Sequence, residues 1–238
     1  MSHSSFLQAS LLSLLSLLSL LSLLSLLSLL SLLTMLSVFT PRIIAVENDG
    51  FQPLFDGKTM AGWKNAYEWG EISIVDREIH LVGNKKFFVM TEKTYRNFIL
   101  EGEVHLPEGK ANSGFMFRAH VEKNKVFGYQ AEVDGDPERA WSGGFYDEGR
   151  RGWFISPKKD DPESINAFRA RAGASFKRND WNAYRITCQG KKITIEVNGV
   201  ITTEIEDDVD ASGPIGIQHH GEQGATYRFR NLKIKELK

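Results

Sequence analysis

The sequence predicts an all-β fold: an antiparallel β-sandwich over residues 46–238, preceded by an N-terminal hydrophobic export helix. Three observations carry this reading. From residue 46 onward apolar residues recur at every second position, the period of a strand with one face on a core. The alternating stretches are short and are separated by Gly, Asn and Asp turns, the pattern of a sandwich. Before residue 46 the period changes to three and the composition collapses to leucine and serine.

That first segment reads SLL eight times without a break from Ser10, then TML and SVF. A repeat of three drifts by about 60° per unit around a helix, so leucine covers every side and no polar face forms. A surface-lying helix and a coiled coil are therefore disfavoured, and the length is enough to span a bilayer. Residues 1–45 read as a secretory signal sequence, with Ala45 at the cleavage point before Val46-Glu47-Asn48-Asp49. The alternative is an uncleaved anchor through residues 10–40. Either way the remainder is exported, to the periplasm or the exterior, and the membrane is a partner only through this segment.

The strands follow in order. Phe98, Leu100, Val104 and Leu106 alternate with Ile99, Glu101, Glu103 and His105. "GFMFRAHV" places Phe115, Phe117, Ala119 and Val121 on one face and Met116, Arg118 and His120 on the other. "YQAEVD" sets Tyr129, Ala131 and Val133 against Gln130, Glu132 and Asp134. "PESINAFRARA" is the one stretch with helical spacing. "KKITIEVNGVITTEIE" is a hairpin about Asn198-Gly199, a pair suited to positive φ. "GPIGIQHHG" and "ATYRFRNLKIKEL" supply two more strands, the first with Gln218 and His220 on its polar side and His219 in phase with the core isoleucines. No linker divides the domain.

Composition excludes several classes. With 29 Lys+Arg against 30 Asp+Glu, the formal charge of -1 gives no reason to expect nucleic acid as a partner. One cysteine, Cys188, rules out an internal disulfide and a multi-cysteine zinc site, and its phase marks it as a buried thiol. No P-loop, nucleophile-elbow, zincin or dinucleotide motif is present, and no cofactor is expected. Asp134, Asp136 and Glu138 in "DGDPE" offer oxygen ligands suited to calcium, without the remaining spacing of a calcium loop. No metal site is expected.

What remains is a polar face and a lip. Arg118, Gln130, Glu132, Asp134, Gln218 and His220 fall on the non-core sides of neighbouring strands. "RAWSGGFYDEGRRGW" then brings Trp141, Tyr146 and Trp153, which can stack on sugar rings, beside Asp147, Glu148, Arg150 and Arg151, which can bond hydroxyls. Its glycines permit close backbone approach. A solvated face with internal ion pairs, and tryptophans plugging a sandwich edge, is the plainer reading of the same residues. A carbohydrate ligand suits this composition better than an apolar one.

The order of motifs adds a resemblance. "GFQPLFDGKTMAGWKN", "ANSGFMFRAHV", "GYQAEVDGD", "RAWSGGFYDEGRRGW", "WNAYRI", "VNGV" and "YRFRNLKIKEL" resemble, in sequence and spacing, the 3-keto-disaccharide hydrolase domain family. The resemblance runs over residues 50–238. It implies a concanavalin-like jelly roll and cleavage of 3-keto-glycosides by exported bacterial proteins. A ketone at C3 acidifies the C2 proton, so a base can form an enolate and the C1 substituent can leave, with water adding afterwards. Such chemistry needs a base, an acid and a donor for the enolate. On this resemblance His220, Glu132 and Arg118 are the expected catalytic residues. Gln130, Asp134, Trp141, Tyr146, Arg150 and Arg151 are expected to bind substrate. Two departures stand out: members often read Gln-Asp-His-Gly where this chain has Gln218-His219-His220-Gly221. They also often read "YEVQILD" against "YQAEVDG", which exchanges acid and amide. Two other functions fit the same residues: a hydrolase using Glu132 with Asp134 or Asp147, and a non-catalytic carbohydrate-binding module.

Overall fold

The computed structural model describes residues 50–238 and, ahead of them, only Ser19 and Ser22, both helical. The leucine–serine repeat, the junction at Ala45 and the choice between signal and anchor lie outside the described residues. Asn48–Lys238 form one compact unit. Among the described residues, no helix is long and apolar enough to cross a membrane.

The chain runs through β1 (Gln52–Pro53), β2 (Trp63–Asn65), β3 (Glu71–Val75), β4 (Glu78–Val82) and β5 (Phe87–Tyr95). It continues through β6 (Phe98–His105), β7 (Asn112–Glu122), β8 (Lys125–Asp134), β9 (Phe145–Glu148) and β10 (Gly152–Ser156). A helix, α1 (Pro162–Ala172), follows. The last strands are β11 (Asn182–Gln189), β12 (Lys192–Val197), β13 (Val200–Glu206), β14 (Gly213–His219) and β15 (Thr226–Glu236). One sheet has the order β13-β12-β11-β6-β15-β4-β3, with β1 on β15, and the other β10-β9-β8-β7-β14-β5-β2. All pairings are antiparallel, so the predicted sandwich is the observed one.

Period-two alternation sets the core. Phe115, Phe117, Tyr129, Ala131 and Ile217 of one sheet meet Leu100, Tyr184, Ile186, Ile195 and Phe229 of the other. Phe115 alone touches both Tyr184 and Phe229, at ring distances of 5.1 and 5.8 Å. Asn198 and Gly199 take φ of 51° and 82°, as their hairpin requires. Cys188 is buried in the core, and burial pushes its thiol up to about 12. The helix starts where predicted: Asp161 caps it by accepting from the Ser164 amide at 3.1 Å, and Pro162 opens it. Phe168 and Ala172 on its inner face pack on Trp141.

One strand breaks its own alternation. Between Phe117 and His120 the pairing of β7 with β8 slips by a residue, and Arg118 takes a φ of 46°. A bulge of this kind exchanges the two faces beyond it. Ala119, expected in the core, joins Phe88, Met90, Met116 and Val126 in a second buried cluster on the outer face. Val121 is exposed. Arg118, expected on the polar face, instead donates to the main-chain carbonyls of Arg96 and Asp210.

Candidate functional site

The outer face of the sheet holding β7 and β8 is concave. Lys86, one residue before β5, bonds Glu148 of β9 at 2.6 Å, although β8, β7 and β14 lie between those strands. In a flat sheet they would be about 19 Å apart, more than two side chains can span. The sheet therefore curls around this face, and the ion pair crosses the hollow.

Register sets the floor. Met116 lies opposite Gln130, which lies opposite Tyr146; Gly114 faces Glu132, and Asn112 faces Asp134. Gln218 faces Phe88 on the other side. Glu132 is 3 % exposed. Its carboxylate receives Asn112 Nδ2, Gln130 Nε2 at 2.9 Å and Arg139 Nη2 at 2.7 Å. Burial raises its pKa to about 7, against the pull of Arg139 and of the Asn112 hydrogen bond. A buried carboxyl that changes charge near neutrality, on a concave polar face, is the most chemically capable group of the sheet. From the opposite sheet Tyr184 anchors its main chain, its hydroxyl donating to the Glu132 carbonyl at 2.9 Å.

The amides form a chain leading away from it. Gln218 Nε2 lies 3.3 Å from Gln130 Oε1, and Gln130 in turn serves Glu132. Gln130 lies flat across β7 because residue 114 is glycine. A Cβ there would fall against Gln130 Cδ and Cγ, closer than real Cβ atoms come. Gly114→Ala should displace Gln130, with a stability loss of about 1–3 kcal/mol from overpacking. Thermal denaturation of wild type and variant checks this.

Around the floor, Asp134 holds the loop that follows β8. One oxygen accepts from the Asp136 amide; the other accepts from the Trp141 amide and from Arg139 Nε at 2.8 Å. Asp136 accepts the Glu138 amide, and Lys110 pairs with both of these acids. The three carboxylates weighed for calcium thus face N–H donors. Among the described residues, no group of three His, Cys, Asp or Glu could hold a metal ion. Trp141 is enclosed by Trp153, whose ring meets it edge-on at 4.8 Å, by Arg139 and by α1. Tyr146 and Trp153, in contact at 5.0 Å, remain half-exposed. His220 follows directly on β14. Its Nδ1 is 3.0 Å from Glu222, which also accepts from the Tyr227 hydroxyl. Burial pushes Glu222 up, but these two hydrogen bonds bring it down to about 2. His219 is buried and stacked on Phe87 at 5.1 Å, the structural place its phase predicts.

The structure thus brings together Gln130, Glu132, Asp134 and, at their margin, Tyr146. It places four expected residues elsewhere: Trp141, expected to stack on a sugar, is buried against Trp153, Arg139 and α1, and the other three are arginines. Arg118 is turned away by the bulge. Arg150 bonds Asp147 and Asp210, and Arg151 bonds Asp147 and Asp207. Tyr129 joins this network through its hydroxyl, which donates to Asp207 and accepts from the Asp210 amide. The arginines therefore tie the β9–β10 turn to the β13–β14 connection. Sequence reasoning missed Arg139, the cation that Glu132 meets, and Asn112. Arg139 sits in a loop where no periodicity assigns a face. Asn112 opens β7 in phase with Met116, which was signal enough.

A family model for the 3-keto-alpha-glucoside-1,2-lyase-like domain matches residues 50–235. No curated protein sequence matches the chain. Among solved structures, a candidate glycosyl hydrolase from Parabacteroides distasonis ATCC 8503 is similar with a TM-score of 0.54 at 21% identity, over 79% of this chain and 99% of that one. The carbohydrate-binding module CBM66 from Bacillus subtilis is similar with a TM-score of 0.53 at 16% identity, over 74% of this chain and 96% of that one. At these identities the likeness is one of fold.

Proposed function

The chain belongs to the 3-keto-alpha-glucoside-1,2-lyase-like domain family, and from that premise we propose that it cleaves the glycosidic bond of 3-keto-glycosides on the concave face. The observation that carries this is Glu132, a buried carboxyl with a pKa near 7 among hydrogen-bond donors. Glu132 takes the proton from C2, and the electron pair moves to the C3 oxygen as an enolate. The enolate collapses, the C1–O bond breaks, and the leaving oxygen takes a proton. Water adds across the resulting C1=C2 bond to give the free 3-keto sugar. A base whose pKa lies near the working pH serves such a step best. His220, oriented by Glu222 at the end of β14, is the proposed acid for the leaving oxygen. Arg139 takes the place first assigned to Arg118 as the cation beside the reacting centre. Gln130, Tyr146 and Trp153 hold the sugar, and Asp134 fixes the loop that brings Arg139 to Glu132.

A two-carboxylate hydrolase is less well supported. Asp134 holds the loop that carries Arg139 and Trp141, and Asp147 is fully buried and held in the arginine network. A binding module without turnover is the second reading, as the Bacillus subtilis neighbour is a carbohydrate-binding module. The test gives the full chain a 3-keto-glucoside with a chromogenic aglycone, and its unoxidised parent, in parallel. Release from the keto sugar alone, reduced about a hundredfold or more in His220→Ala, is the expected result. Equal release from both substrates would replace elimination by hydrolysis. Binding with no release would leave the module.

A further inference from the structure

Gln218, a residue 1 % exposed, carries a buried carbonyl oxygen with no hydrogen-bond partner among the described residues. Its orientation follows from Glu132. An ionised carboxylate only accepts. Gln130 must therefore turn Nε2 towards it, as observed at 2.9 Å, which leaves Gln130 Oε1 for the next residue. Gln218 must then donate its own Nε2, as observed at 3.3 Å. What Gln218 has left is an acceptor. The Gln218 main chain is held as well, its carbonyl accepting from Ser113 Oγ at 2.7 Å. A buried acceptor without a donor is costly, and a ligand that brings one relieves it.

We propose that Gln218 is a specificity-determining residue of this site: its carbonyl oxygen, aimed by the amide relay from Glu132, accepts a hydrogen bond from one hydroxyl of the bound sugar. A ketone at that position cannot donate and is disfavoured, so the relay reads which carbon carries the oxidised group. The inference rests on the carbohydrate reading of the concave face.

The relay is also reversible. A protonated Glu132 can donate to Gln130 Oε1, Gln130 Nε2 then serves Gln218 Oε1, and Gln218 presents a donor instead. The groups that face Glu132 are Asn112 of β7, Asp134 of its own strand, Tyr146 of β9 and Arg139 of the loop, with the Tyr184 hydroxyl behind it. The Lys86–Glu148 pair crosses the same hollow. Gln218 itself meets Phe88 across β5 and Gln130, with His219 and His220 next in its chain. Of these charges, Asp134 opposes ionisation of Glu132 and Arg139 favours it.

Dissociation constants for methyl α-D-glucoside and its four monodeoxy derivatives, measured by calorimetry on the full chain, test the assignment without any turnover. At pH 8 one derivative should bind wild type about tenfold more weakly than the parent, the worth of one buried hydrogen bond. Gln218→Met should bind the parent and that derivative equally. The contrast should shrink below pH 6, and should not change with pH in Glu132→Gln. If sugars bind but Gln218→Met keeps every contrast, the assignment of Gln218 is overturned alone. If none of the five sugars binds, the carbohydrate reading falls and takes the assignment with it. The side-chain amide resonances of Gln130 and Gln218 give a ligand-free readout. They should titrate together in wild type and not at all in Glu132→Gln; independent titration would overturn the relay.

Discussion

Glu132→Gln should lower kcat/KM on a 3-keto-glycoside by about a thousandfold, the weight of a positioned general base, while making the fold more stable at pH 8. The two effects have one cause. Burial raises the Glu132 pKa to about 7 in the folded state, so the native protein holds a proton that the unfolded chain gives up between about pH 4.5 and 7. Stability therefore falls as pH rises through that window. The full difference is on the order of 3 kcal/mol at pH 8 and vanishes below about pH 4.5. Glutamine keeps the shape and can bond Asn112 and Gln130, but never ionises. Melting curves of wild type and variant at pH 4.5 and pH 8 check this. A variant that is less stable than wild type at pH 8 would mean that Arg139 more than offsets the burial of the charge. In wild type, kcat/KM should rise with pH through about 7 as the base ionises.

Asp147→Asn is expected to be the most destabilising conservative change in the domain and nearly silent in the chemistry. Asp147 is fully buried and holds both Arg150 and Arg151. Removing one partner of a buried charged cluster leaves the others under-compensated. Each arginine keeps a second carboxylate, Asp210 or Asp207, so the loss should lie near the lower end of the range, about 3 kcal/mol. In a domain of this size that is roughly 6–12 °C in Tm. At temperatures well below the new Tm, kcat/KM on the keto substrate should stay within a few-fold of wild type. A large kinetic loss in a well-folded variant would return Arg150 and Arg151 to the substrate site. The same network predicts acid sensitivity. Burial opposes ionisation of Asp207 and Asp210, but their hydrogen bonds to Arg151 and Tyr129, and to Arg150 and His120, hold both below the usual aspartate value. Their contribution is therefore present above about pH 4 and lost as pH falls through the lowered values.

The strands were legible because alternation reports directly which side chains are inward. Phe115, Tyr129, Ile217 and Phe229 all stand where period two puts them. That Gln130, Glu132 and Gln218 share one face was legible for the same reason: they are polar residues at out-of-phase positions of core strands. The exchange of acid and amide relative to "YEVQILD" keeps both groups on one face, two residues apart and hydrogen-bonded to each other. Arg118 was not legible, because a single inserted residue inverts the alternation and nothing in "FMFRAHV" announces it. Nor was the fate of the lip. Its charges and aromatics could serve a ligand or one another, and the ion pairs of Arg150 and Arg151 depend on Asp210, 60 residues beyond Arg150, and Asp207, 56 residues beyond Arg151. Arg139 was missed because loop residues have no face until the loop is built, here by Asp134 accepting the amides of residues 136 and 141.

The central claim is that Glu132 removes the C2 proton, and the fate of that proton tests it most directly. A 3-keto-glucoside is turned over in D2O and the released 3-keto-glucose is read by NMR, beside a blank of product incubated without enzyme. Deuterium at C2, appearing at the rate of product release and well above the blank, is the result expected of elimination followed by hydration. It should disappear with the activity in Glu132→Gln. Product formed at full rate with its C2 proton retained would contradict the account, because the bond to C1 would then have broken with no carbanion at C2.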